Sequence, residues 1–364
     1  MRLGRVFRRG GKAALATALE LSGAANLLRE VARQASGGRR VVIVAFHRVV
    51  ADFEREVRRA IPGLLIGEAT FEAQLDALHR AGFEVAPLDF ALQVLSGERT
   101  SRRDLAVLTF DDGYRDVHAH ALPILRRRGL PATVYLASGC IGSGQPFPHD
   151  RLYALLLDNL FCGERSGRRA EPTPEAALQC AALVERLIAG HSARALETLM
   201  DAMATRPTGA LAPQPSPSSL PLDWAEVRTL AGAGVALGAH TVRHAVLVHE
   251  EAAAIEREIV ESRQKIERET GQRVLDFAYP NGLFDPRVLA ALGRAGFRSA
   301  VTTEDAPNRA AIDPLRLRRK TLWERTGQGA FGHSARLSRC QLDDLFGLLS
   351  LTRPERGLRP SPGA

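Results

Sequence analysis

Residues 107–116 read Val-Leu-Thr-Phe-Asp-Asp-Gly-Tyr-Arg-Asp, and they close an apolar run that begins at Leu105. A short apolar run bounded by a turn signal reads as a buried strand, here Leu105–Phe110. The paired aspartates after it are unusual. An Asp-Gly turn, or an N-cap for the helix expected over 114–128, needs only one aspartate. Two adjacent carboxylates at a buried strand end repel each other, and keeping both ionised is costly without a cation nearby. The stretch therefore predicts a strand, a turn and a site for positive charge.

Working outward, the chain alternates short apolar runs with helical patterns. Strands are expected at Val41–Phe46, Phe83–Pro87, Ala132–Leu136, Val235–Ala239, Val274–Tyr279 and Ser299–Thr302. Helices are expected from Thr70 to Gly82, over Asp223–Ala233 and Glu250–Thr270, and from Pro286 to Gly296. Repeated βα units predict a parallel sheet, open or closed into a barrel. The rhythm breaks over 142–221, where Tyr153–Leu160 and Ala176–Met203 look helical and Ala210–Pro221 is rich in Pro and Ser. This reads as an insertion. The tail Thr352–Ala364, rich in Pro, Gly and Arg, is expected to be disordered.

In a parallel barrel, reactive groups gather at the C-terminal ends of strands. Asp111 and Asp112 follow one strand and His240 another. Tyr279 and Pro280 close a third, and His47 follows a fourth. His240 and His244 stand four apart. If the chain enters a helical turn at His240, with Thr241 capping it, both imidazoles share a face and can grip one ion. A divalent metal with open positions takes two His and one carboxylate, and a second carboxylate beside it suits a general base. Arg243 is expected to point away. His118, His149 and His249 read as exposed or insertion histidines.

Three segments resemble, in order, the signature motifs of the polysaccharide deacetylases, the NodB-homology domains of carbohydrate esterase family 4. They are Thr109-Phe110-Asp111-Asp112-Gly113, His240-Thr241-Val242-Arg243-His244 and Phe277-Ala278-Tyr279-Pro280-Asn281-Gly282. The resemblance covers roughly residues 40–320. It implies an α/β fold, a distorted parallel (β/α) barrel of about seven strands, here with a mainly helical insertion. It implies one divalent metal on Asp112, His240 and His244, with zinc the first choice and cobalt or nickel open. It also implies Asp111 as general base, with the loop at Tyr279, Pro280 and Asn281 lining the acetyl pocket and the Asn281 N–H steadying the oxyanion.

The chain departs from the family pattern at two places. Many members carry an Arg two residues before the Pro of the third motif, to orient the base; here that residue is Ala278. Arg319, in Leu317-Arg318-Arg319, is the candidate replacement. Members also usually end with a strand that delivers a His as general acid. No strand-then-His pattern follows residue 320, and His333 lies in a Gly/Ser-rich polar stretch. Ile43-Val44-Ala45-Phe46-His47 has that pattern near the start, as in circularly permuted bacterial members. His47 then protonates the leaving nitrogen.

The chain has 364 residues and a net charge of +8. Residues 1–40 hold nine Arg and Lys against two Glu, so nearly all the excess is an N-terminal arm. A solvated leader and electrostatic attachment to an anionic membrane both fit. No nucleic-acid motif accompanies it, so no nucleic-acid partner is expected. Glu20 interrupts the first apolar run and no clean cleavage site comes after it. The expected location is cytoplasmic or membrane-peripheral, with export left open. Four scattered cysteines without a Cys-x-x-Cys argue against a disulfide scaffold.

The domain expectation is a basic extension over 1–39, a deacetylase unit over 40–325 with its insertion at 142–221, and a C-terminal extension over 326–364. The functional expectation is a metal-dependent hydrolase that removes N-acetyl or O-acetyl groups from a carbohydrate. The substrate would be an envelope polysaccharide or exopolysaccharide, or a lipid-linked precursor. Two alternatives stay open: the same fold acting on a non-sugar amide or imide, and a catalytically inactive glycan-binding scaffold.

Overall fold

The computed structural model describes residues 14–35, 39–161, 173–205, 219–324, 328–329, 332–333 and 335–342. The expected disorder at 352–364 lies outside them, as does most of the Pro-rich stretch 210–221.

Seven strands form one parallel path. They are β1 (Val41–Phe46), β5 (Leu105–Phe110), β6 (Thr133–Leu136), β7 (Ala236–Ala239), β8 (Asp276–Ala278), β9 (Ser299–Val301) and β10 (Arg319–Thr321). The order is β10-β1-β5-β6-β7-β8-β9, with β4 (Glu84–Val85) also pairing β5, while β2 (Arg48–Val50) and β3 (Leu65–Gly67) pair with each other in a separate parallel ladder. Leu317 nearly closes the ring. Its N–H donates to Ala300 O at 2.9 Å, and Thr302 N–H donates to Leu317 O at 2.7 Å. The α/β barrel expected from the sequence is the observed architecture.

The strands read as continuous apolar runs because both faces are covered. Side chains alternate faces along a strand. In β1 and β5, Val42, Val44, Ala106 and Leu108 join the large outer core, while Val41, Ile43, Leu105 and Val107 fill the barrel with Tyr135 and Val301. Thr109 and Asp111 continue the inner row of β5, which is why a carboxylate ends up buried inside the barrel mouth. The outer core packs against helices α1 (Glu68–Arg80), α2 (Leu122–Arg128), α3 (Trp224–Gly232), α4 (Ala252–Thr270) and α5 (Pro286–Arg294). Asp223 starts α3 through a capping box with Glu226.

Several local expectations are corrected. The expected helix over 114–128 starts as a π-turn at Val117–Ala121 before becoming α-helical. β10 has no counterpart among the expected strands. The insertion holds three helices, Pro148–Phe161, Pro174–Gly190 and Ala193–Ala204. The single helix expected over 176–203 breaks at Gly190–Ser192, where Ser192 caps the next helix through Ala195 N–H. Insertion residues Leu152, Leu156, Cys180, Val184 and Met200 form a small core that includes Val246 of the barrel.

Candidate metal centre and active site

Asp112 begins the site. Its backbone is left-handed, with φ 71°, and Gly113 comes next at φ 93°. The Asp112 carbonyl accepts from Ala137 N–H at the end of β6. A Cβ at Gly113 would crowd Leu136 Cδ2 at 2.7 Å and Ile141 Cδ1 at 2.9 Å, and the φ of 93° is one that favours glycine. The tight turn sends Asp111 and Asp112 in different directions from one strand end.

Asp112 meets the imidazoles. Its Oδ1 lies 3.4 Å from His240 Nε2 and 3.3 Å from His244 Nε2. Bonds of about 2.0–2.1 Å in a tetrahedron place ligand atoms about 3.3–3.4 Å apart, so each imidazole stands from Asp112 at a distance that a shared ion would set. Asp112 Oδ1 is buried and has no hydrogen-bond partner, as a ligand oxygen would be. His240 Nδ1–H donates to Ala278 O at 2.7 Å, which orients the ring with Nε2 turned to Asp112.

The His240–His244 segment is not the helical turn that the spacing suggested. It is an irregular loop with left-handed Thr241 and His244, φ 65° and 58°. Its rigidity comes from elsewhere. Ser138 and Gly139 N–H donate to Thr241 O and Val242 O. The buried Glu258 carboxylate accepts from Val242 N–H, Arg243 N–H and Arg243 Nε. Thr241 Oγ1 accepts from Ala245 N–H. Arg243 is held by Glu258, Nε to Oε1 at 2.8 Å. Four of the five left-handed non-glycine residues among those described, Asp112, Thr241, His244 and Asn281, sit on the three motif loops. Such strain persists where surrounding contacts enforce it.

Asp111 has a different partner. Arg319 grips both of its oxygens, Nη1 to Oδ1 and Nη2 to Oδ2, each at 2.7 Å. Arg319 Nε donates to Thr302 O. β10 pairs β1 with Arg319 opposite Ile43, which puts the guanidinium on the inner face. Burial pushes the Asp111 carboxyl up, but Arg319 outweighs burial and holds it below the usual carboxylate range. His47 Nε2 lies 3.9 Å from Asp111 Oδ2 and is partly open to solvent. Burial lowers its pKa, against the pull of Asp112 and Asp111. Burial would likewise raise Asp112, but the imidazoles of His244 and His240 hold it far below the ordinary value. Burial also drives His244 down to about 3, so its ring is neutral and able to ligate. His240 is raised, because its carboxylate neighbours outweigh burial.

The third motif splits. Tyr279 turns its side chain into the outer core, with its hydroxyl on Leu315 O at 2.8 Å and its ring against Phe284. Pro280 is buried in the turn, and Asn281 is left-handed at φ 54°. This turn immediately follows Ala278, whose carbonyl holds His240.

His149 is an insertion histidine, as expected, but not an exposed one. It lies at the start of the insertion's first helix and is buried beside Asp112 and His244. Among the described residues, the trio whose ligand atoms all lie within 4.8 Å of one another is Asp112, His149 and His244, in which His149 stands where His240 was expected. Tyr114 Oη donates to Asp150 Oδ2 at 2.7 Å, so at 2.5 Å it accepts from His149 Nε2–H. That leaves His149 Nδ1 as the lone-pair nitrogen, and it is buried without a hydrogen-bond partner. Arg48 carries no sequence signal either. It is buried under the Tyr114 ring at 5.1 Å and pairs with Asp116 at 2.7 Å. His118 is half-buried and His249 is exposed. The side chain of His333 lies outside the described residues.

The polysaccharide deacetylase family model matches residues 98–300, more than half of the chain, and the chain belongs to that family. β1 with His47 and β10 with Arg319 lie outside the matched stretch. The chain is 30% identical over 79 residues to the Bacillus subtilis protein YxkH, a match that spans 22% of this chain and 28% of that protein. Two solved structures share the fold. One is the Streptococcus pyogenes deacetylase PplD in complex with acetate, with TM-score 0.53, 17% identity, and 81% of this chain and 96% of that one covered. The other is IcaB from Ammonifex degensii, with TM-score 0.54, 16% identity, and 84% and 98% covered.

Proposed function

We propose that the chain is a metal-dependent hydrolase that removes N-acetyl groups from a carbohydrate of the cell envelope or an exopolysaccharide. The observation that carries this reading is the division of labour between two adjacent carboxylates. Asp112 faces imidazoles with an unpartnered oxygen, while Asp111 is clamped by Arg319. The donor set fits a divalent ion, zinc first, held by Asp112, His244 and His240, with His149 alongside. When bound, such an ion would polarise the substrate carbonyl and make nearby water more acidic.

The chain's own groups do the rest. Arg319 keeps Asp111 ionised and aimed. Asp111 takes the proton of the attacking water. His47 Nε2 gives a proton to the departing nitrogen. The Asn281 N–H assists the oxyanion. A base and an acid of different pKa give a bell-shaped pH profile. The Arg319 clamp supports the catalytic reading over an inactive scaffold, because it supplies the contact that Ala278 cannot.

We assign residues 40–325 to the catalytic unit. Glu324 fits that boundary, since it accepts from Gly67 N–H and Thr70 Oγ1 on the barrel. We place the basic segment 1–39 on an anionic membrane surface. Leu15, Leu21, Leu27 and Val31 are exposed there, and among the described residues no helix is long and apolar enough to cross a membrane. Sedimentation with anionic vesicles should depend on this segment and weaken with salt.

The test is acetate release from N-acetylglucosamine oligomers by metal-loaded protein beside Asp111→Asn and His47→Ala. Release by wild type, lost in both variants while metal is retained, is expected. One bound metal with no release from any acetylated sugar would overturn the substrate assignment.

A further inference from the structure

The insertion does more than cover the barrel mouth. Between its helices and the His240–Val246 loop lies a cavity of about 290 Å³. Its walls are Leu152, Ile188, Leu196, Met200 and Val246, and it reaches His149 and His244. Polar groups stand at its edge: Arg151 pairs with Asp201 at 2.9 Å and Arg243 with Glu258 at 2.8 Å, and Gln145 and Glu197 also line it. A sugar ring needs hydrogen bonds for its hydroxyls, and the walls between those edge groups, Leu152, Ile188, Leu196, Met200 and Val246, offer none from their side chains. An aliphatic chain needs only dry, apolar walls. At about 30 Å³ for each heavy atom, the space holds on the order of ten carbons.

We propose that this cavity is a subsite for an aliphatic chain carried by the substrate, so that the enzyme acts on a lipid-bearing amino sugar. This rests on the hydrolase reading of the site. The chain's near end lies against the imidazoles of His149 and His244, beside the reacting carbonyl. Two sources supply that chemistry: an acyl group on the sugar nitrogen, or an alkyl aglycone.

The experiment uses two series of glucosamine derivatives. One carries N-acyl groups from acetyl to decanoyl on a methyl glycoside. The other carries N-acetyl with alkyl aglycones from methyl to decyl. Turnover is read for wild-type, Met200→Trp and Leu196→Phe proteins, and binding is read by calorimetry on metal-loaded Asp111→Asn. One series should gain about fourfold in kcat/KM and in affinity for each methylene, then level off near ten carbons. Which series gains identifies the source of the chain. Filling the cavity should flatten that gain and leave turnover of the shortest substrate unchanged, a result that also shows the variants fold. Turnover of the shortest substrate without chain-length dependence in either series overturns the subsite and leaves the hydrolase reading standing. A chain-length gain in affinity, abolished when Met200→Trp is added to Asp111→Asn, without turnover of any substrate by wild type supports the subsite and overturns the hydrolase reading.

Discussion

The strand ends of the barrel and the helical insertion meet at His149 and His244, yet they are built from opposite materials. At the strand ends, polar groups are buried and mostly assigned to partners: Arg319 to Asp111, His240 to Ala278 O, and Glu258 to the His240–His244 loop. The insertion's core is mainly apolar, although Asp158 and the Tyr153 hydroxyl are buried there too. Buried charge tolerates little change, because removing one partner strands the other. Apolar packing tolerates changes that conserve volume. Chemistry should therefore be brittle at the strand ends, and substrate choice adjustable in the insertion.

The sharpest way to break this contrast is Asp112→Ala. Stoichiometric metal and measurable turnover should both vanish, as read by elemental analysis and acetate release. Next comes His47→Ala. Metal should stay, and kcat should fall by about 10²–10⁴-fold. General-acid function exists below the pKa of His47 and is lost as pH rises through it, so the alkaline limb of the kcat/KM profile should disappear in this variant.

Arg319→Met ranks third, with turnover lower by about 10²-fold and about 3–5 kcal/mol of stability lost in denaturant titration, because Asp111 is left buried and unpaired. Asp111 is depressed by Arg319, so base function and the stability of the pair are present above its pKa and lost as pH falls through it. Without Arg319, burial dominates and the acid limb should move to higher pH. Tyr114→Phe should weaken metal binding by about 10–100-fold, through loss of the hydroxyl that orients His149. The smallest effect on chemistry should come from Leu156→Ala in the insertion core. It should cost about 2–5 kcal/mol in thermal unfolding while turnover of a short acetylated sugar, measured well below the melting point, persists.

Much of the barrel is legible in the sequence because strands covered on both faces must be apolar throughout. β10 is not, because Arg319-Lys320-Thr321 is polar for reasons that lie elsewhere in the chain. Arg319 serves Asp111, and Lys320 reaches Asp305 at 2.8 Å. The pairing of Asp112 with His240 and His244 can be anticipated from residue type and spacing, although the spacing suggests the wrong local geometry. Periodicity cannot reveal a loop held in left-handed conformations by Glu258, which lies 16 positions beyond Val242. His149 and Arg48 are hidden for a related reason. Each is buried by contacts with Tyr114, Asp116 or Asp150, and nothing local in Pro148-His149-Asp150 or His47-Arg48 announces that burial. Groups that follow their own strand can be read early, whereas those placed by another segment's folding cannot.

The most direct test of the central claim is metal content of wild type, Asp111→Asn and Asp112→Asn after identical zinc loading and dialysis. The account predicts one zinc per chain in wild type and Asp111→Asn, and none in Asp112→Asn. Equal zinc in all three, or loss from Asp111→Asn instead, would contradict the assignment of one carboxylate to the metal and the other to the proton.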